Sequence, residues 1–164
     1  MILADTQLLQ FEVLGATLLS FVLGGLIGYE REAANKPAGL RTHMMVASAS
    51  TVLVFLGTIV VTQFEQGPIA ASLVQTDPIR IIEAIIAGVA FLGAGTIIRR
   101  GGDIEGLTTA ASILFTAAIG IAVALSQFII AVGGTVLALI TLRLVHSVDA
   151  RLRRETDILD EKEE

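Results

Sequence analysis

The chain has no cysteine, three prolines and few charges among its 164 residues. Without cysteine there is no disulfide framework, no Cys-ligated zinc or iron–sulfur centre and no thiol catalysis. Three prolines and no Ser/Gly-rich tract leave no room for a long disordered linker. Charged residues make up 16% of the chain, against about 25% in a typical soluble domain. The net charge of −5 argues against nucleic acid as a partner. No Walker motif, G-x-S-x-G, H-E-x-x-H or dinucleotide fingerprint occurs. Enzyme chemistry therefore has no foothold, and no catalytic residue, cofactor or metal centre is expected.

What is present is apolar. Hydrophobic types make up 54% of the residues, and the mean hydropathy of +0.79 means more apolar surface than one core of this size can bury. Four blocks are free of Asp, Glu, Lys and Arg: 13–29, 42–64, 84–98 and 107–142. A spanning helix needs roughly 20 residues, and the 36-residue last block would make a rod of ~54 Å. It is split at Ser126-Gln127, the most polar pair near its middle. The expectation is an all-α membrane protein, a five-transmembrane-helix bundle with helices near 12–30, 43–63, 78–99, 107–125 and 127–145. A short charged tail follows over 146–164, reading as a solvated or surface-lying helix.

Asp5 and Glu12 stand where a signal peptide would be basic, so the first block is read as a retained span. With five spans, ten of the eleven basic residues fall on one side, leaving Arg80 alone on the other. The positive-inside rule then sets the N-terminus outside and the C-terminus in the cytoplasm.

Candidate functional polar residues gather at the loops. Around the first loop they are Glu30, Arg31, Glu32, Arg41 and Thr42. Helix 3 opens with Asp77, Arg80 and Glu83 and closes with Arg99 and Arg100, and helix 4 opens with Thr108 and Thr109. Glu32 and Lys36 have the spacing of a helical ion pair, and Pro37 stops that helix. Arg41 sits at a helix N-terminus, the wrong dipole end for a cation. It therefore needs a carboxylate or phosphate partner, with Glu30 the first candidate; the plainer reading is a topology anchor plus an internal salt bridge. Asp77-Pro78 gives helix 3 an N-cap and a proline at its first position. Glu83 then lies in the outer third of the bilayer, where it either pairs with Arg80 or serves binding or proton handling. His43 and His146 read as separate interfacial histidines rather than a metal pair.

Gly24 and Gly28 in helix 1 and Gly88, Gly93 and Gly95 in helix 3 are expected to let helices approach, since lipid offers no hydrophobic drive between them. The alternative is that some of them line a cavity or break a helix. A faint repeat runs at an offset of 67: Gly28 with Gly95, and Gly39-Leu40-Arg41-Thr42 with Gly106-Leu107-Thr108-Thr109. It makes a shared pocket for Glu30, Arg41, Arg99 and Thr108/Thr109 plausible.

Three ordered motifs carry a resemblance. They are Leu23-Gly24-Gly25-Leu26-Ile27-Gly28-Tyr29-Glu30-Arg31-Glu32 with Ala38-Gly39-Leu40-Arg41-Thr42, then Asp77-Pro78-Ile79-Arg80-Ile81 leading to Gly88-Val89-Ala90-Phe91-Leu92-Gly93-Ala94-Gly95, then Arg99 through Gly106-Leu107-Thr108-Thr109-Ala110-Ala111. Over about residues 13–145 the chain resembles the MgtC/SapB family. The resemblance implies a bacterial inner-membrane protein linked to growth in low magnesium and, in pathogens, to survival inside macrophages. Many members carry a C-terminal cytosolic ACT-like domain, whereas this sequence stops about twenty residues after the fifth helix.

Two functions stay open. One is a membrane regulator or interaction protein tied to magnesium limitation. The other is a transporter or channel for magnesium or another small solute. Magnesium wants an octahedron of oxygens, and Glu83 is the only acidic candidate inside a span. The expected partners are the lipid bilayer, further copies of the chain in a homo-oligomer, and a membrane protein of unknown identity.

Overall fold

A computed structural model describes residues 2–65 and 78–160. The elements in order are α1 (Ile2–Ala33), α2 (Leu40–Glu65), α3 (Pro78–Ala94), β1 (Ile98–Arg100), β2 (Asp103–Glu105), α4 (Leu107–Ala124) and α5 (Phe128–Asp160). Three stretches are long and apolar enough to cross a membrane, Gln7–Ala33, Leu40–Gln63 and Leu107–Ala124, and Phe128–Leu144 is a shorter apolar helix. The five expected helices are all present.

α4 is the hub. Ten of its 18 residues are buried, and it touches α1, α2, α3 and α5. Its composition explains this, because a helix apolar on every side has no face to give to water. One core cluster joins Leu23 and Ile27 of α1 to Ile119 and Val123 of α4 and Ala131 and Leu142 of α5. Two others join α2 to α4 through Val46, Ile113 and Ala117, and α2 and α3 to α4 through Val54, Ile85 and Ile121. The outward surface is correspondingly apolar, with Phe11, Phe91 and Ile129 each more than two-thirds exposed.

Two helix ends share one device. After α1, Asn35 adopts a left-handed φ of 53°, while its N–H bonds Glu32 O and the Lys36 N–H bonds Arg31 O. After α4, Ser126 has φ 58°, the Ser126 N–H bonds Val123 O and the Gln127 N–H bonds Ala122 O. Both are Schellman closures with Asn or Ser in place of glycine. The expected break at Ser126-Gln127 is therefore built by backbone hydrogen bonds.

Two boundaries differ from the sequence reading. α3 stops at Ala94 rather than near residue 99, and Ile98, Arg99 and Arg100 form a strand paired antiparallel with Glu105, Ile104 and Asp103. The β-branched run after Gly95 favours extended backbone. Gly101 and Gly102, at φ 58° and 111°, make the two-residue turn that a right-twisted hairpin needs. α5 also runs unbroken through the expected tail to Asp160.

Candidate functional site

Glycine brings α1, α2 and α4 together, first near the hairpin end of the bundle, where α1 ends and α2 and α4 begin, and again deeper along α4. A Cβ on Gly24 would stand 2.6 Å from His43 O and one on Gly28 2.7 Å from Leu40 Cα, so α1 and α2 meet backbone to backbone. A Cβ on Gly120 would overlap the Ala47 carbonyl oxygen, which closes α4 onto α2 in the same way. Of the five glycines expected to pack helices, Gly24, Gly28 and Gly93 do so, the last against Ala110. Gly88 meets nothing within 4 Å, and Gly95 meets only its own helix's Leu92 and Phe91 carbonyls. They leave α3 open on one flank.

Polar side chains fill the space between these backbones. Arg31 Nε lies 2.5 Å and Arg31 Nη2 2.8 Å from the two carboxylate oxygens of Glu30, a bidentate pair between sequence neighbours. Arg31 is 3% and Glu30 8% exposed, so each is the other's main compensation for leaving water. His43, fully buried, stands one helix over. Its Nδ1 is 2.9 Å from Gly39 O and its Nε2 3.1 Å from Ser112 Oγ. A carbonyl only accepts, so Nδ1 carries a hydrogen. Ser112 Oγ is also 2.8 Å from Thr109 O.

A second polar contact lies further along the same helices. Thr51 Oγ1 is 2.8 Å from Gly120 O and 2.5 Å from Ser20 Oγ, all buried. His43–Ser112 and Thr51–Gly120 have the same separation of 69 residues, so α2 and α4 run parallel in a fixed register. Every buried side-chain N or O among the described residues has a partner.

The remaining candidates are distributed differently from expectation. Arg41 is exposed and does not pair with Glu30, whose carboxylate is already held by Arg31. Glu32 does not pair with Lys36: its Oε2 accepts the Leu40 N–H at 2.8 Å and so caps α2. A Cβ on Gly39 would meet that carboxylate at 2.6 Å, so the loop and its cap fit each other. Thr42 is half-buried, Thr108 exposed and Thr109 buried. Arg99 is exposed on β1 and Arg100 closes the hairpin backbone opposite Asp103. No ion pair joins Arg80 to Glu83, which are both exposed on α3. Residues 66–77, Asp77 among them, and the His146 side chain lie outside what is described. Of the residues expected to share a pocket, Glu30 and Thr109 are buried, whereas Arg41, Arg99 and Thr108 are exposed on the rim at this end of the bundle.

Sequence reasoning missed His43, which is buried rather than interfacial, and its partner Ser112. It also missed Ser20, Thr51 and Gly57, against which Ile81 of α3 packs. A seam of hydroxyl-bearing and glycine positions at four-residue steps, Ser112, Thr116 and Gly120, was the available signal. Among the described residues no three His, Asp or Glu side chains gather in a way that could hold a metal.

The fold and this interior polar cluster define an all-α membrane protein of five helices. The chain belongs to the MgtC family, whose sequence model matches residues 17–151. An uncharacterized protein of Haemophilus influenzae is 38% identical over 150 residues, covering 87% of this chain and 62% of its own. YhiD of Escherichia coli K12, described as a candidate magnesium transporter, is 35% identical, covering 82% and 61%. The MgtC protein of Salmonella typhimurium LT2 is 33% identical, covering 92% and 59%. The chain spans about three-fifths of the length of these relatives. No solved structure matches it.

Proposed function

We propose that this chain is a multi-pass module of the bacterial inner membrane that works as a regulator or interaction protein in magnesium limitation, and not as the carrier of the ion. Its basic loops and the β-hairpin face the cytoplasm in this reading, as the distribution of Lys and Arg requires. The observation that carries it is the state of the interior charges. Glu30 is held in a two-point pair by Arg31, and the other buried polar groups are held by neighbouring backbone and hydroxyl groups. A magnesium path would need several free oxygen ligands. The interior instead reads as a lock that fixes the loop after α1 and the starts of α2 and α4, with Arg41, Thr108 and Arg99 displayed on the rim for a partner.

Growth of a deletion strain in low magnesium tests this. A gene carrying Arg41→Ala with Arg99→Ala should fail to restore growth while its product reaches the membrane at wild-type level. Full restoration would remove the rim from the account. The second reading, a transporter for magnesium or another small solute, draws on the description of the YhiD relative and on Glu83. It predicts that Glu83→Gln impairs growth; the regulatory reading predicts that uptake is untouched.

A further inference from the structure

The inner face of α3 is packed, through Ile85 and through Gly93 against Ala110. The opposite face is bare. Arg80, Glu83, Ala87, Ala90 and Ala94 recur there at helical steps and all are exposed. Among the described residues neither Arg80 nor Glu83 has an ionic partner. Both belong to the first turns of the helix, and Glu83 is ~7.5 Å past Pro78 along the axis. Charges at that depth usually face a bundle interior and a counter-charge. α3 points them away from its own bundle, where no described residue supplies such a partner.

The charges are complementary to themselves. Copies of one chain in one membrane share an orientation, so a two-fold axis along the membrane normal places α3 parallel to the α3 of the second copy. Arg80 and Glu83, ~4.5 Å apart along the axis, are then within long side-chain reach of the opposite charge across that axis. The contact is isologous: if one residue meets the other, the reverse holds as well. Past the charges the ridge is alanine, which allows the close backbone approach that drives association in lipid.

We propose that the outward face of α3 docks a second copy of this chain through reciprocal Arg80–Glu83 ion pairs. The inference rests on the membrane-embedded bundle alone. Its failure would leave the regulatory reading intact, and a magnesium flux would leave the interface intact.

The cysteine-free chain makes the test direct. Ala87→Cys places one thiol on this face, and Ile129→Cys places one on α5 at a site 91% exposed. Oxidation of membranes with copper phenanthroline should link Ala87→Cys into a dimer and leave Ile129→Cys monomeric. Adding Arg80→Glu or Glu83→Arg to Ala87→Cys should lower the dimer roughly eightfold, because a reversed homodimer loses both reciprocal polar contacts in lipid. Co-expression of the two reversed forms should restore it, because the acidic face of one then meets the basic face of the other. Pairing within a chain would give no such rescue. If a reversed form does not accumulate, Glu83→Gln should still lower the dimer about twofold. Equal linking at the two cysteine sites, no restoration on co-expression, or an unchanged Glu83→Gln dimer would each overturn the interface.

Discussion

Glu30 and Arg31 are adjacent in sequence, yet the two side chains close a two-point ion pair with almost no exposure. Removing one member strands a buried charge, which costs about 3–5 kcal/mol, whereas replacing both with neutral residues costs much less. Arg31→Ala should therefore lower the unfolding midpoint of the detergent-solubilised protein sharply, and Glu30→Gln with Arg31→Gln should recover much of the loss. Equal effects of the single and double changes would show that the pair does not act as a unit. The hydroxyl contacts are weaker. Thr51→Ala removes the links to Gly120 O and to Ser20 and should cost only about 1.2 kcal/mol, two contacts at the mean of about 0.6 kcal/mol in membranes.

Helices reveal which glycines matter. Gly120→Ala drives a methyl into the Ala47 carbonyl, and overpacking of this kind costs roughly 1–3 kcal/mol. Gly88→Ala meets open space and should leave the midpoint unchanged or raise it. At the helix ends, Asn35→Gly and Ser126→Gly relieve left-handed backbone and should each stabilise by about 1 kcal/mol. Thermal unfolding of the four variants side by side checks these signs. Much of this scale was legible in the sequence. Uncharged blocks set the number of helices, and Ser126-Gln127 marked the one break inside the longest block. The hairpin was not legible, because Ile97-Ile98 continues an apolar run that periodicity cannot tell from helix. The site was read only in part: Glu30, Arg31 and Thr109 were singled out, but partner choice depends on which backbones touch. Only the approach of Gly28 and Gly120 to α2 brings His43 to Ser112 and closes Arg41 out.

Over the whole molecule, α2 and α4 start at Leu40 and Leu107, the 67-residue offset of the Gly-Leu-x-Thr repeat. They run parallel, and α1 and α3 pack against them in turn. The two halves differ in their connections, a capped turn in one and a β-hairpin in the other, and in burial, since α3 is the bare helix. The central interior is polar but closed on itself, which is the physical basis for reading the protein as a regulator in the membrane. Magnesium flux into liposomes tests that claim most directly. Purified protein, reconstituted with a magnesium-sensitive dye inside the vesicles, should show the same uptake as protein-free vesicles. Saturable uptake that scales with the protein-to-lipid ratio would contradict the account.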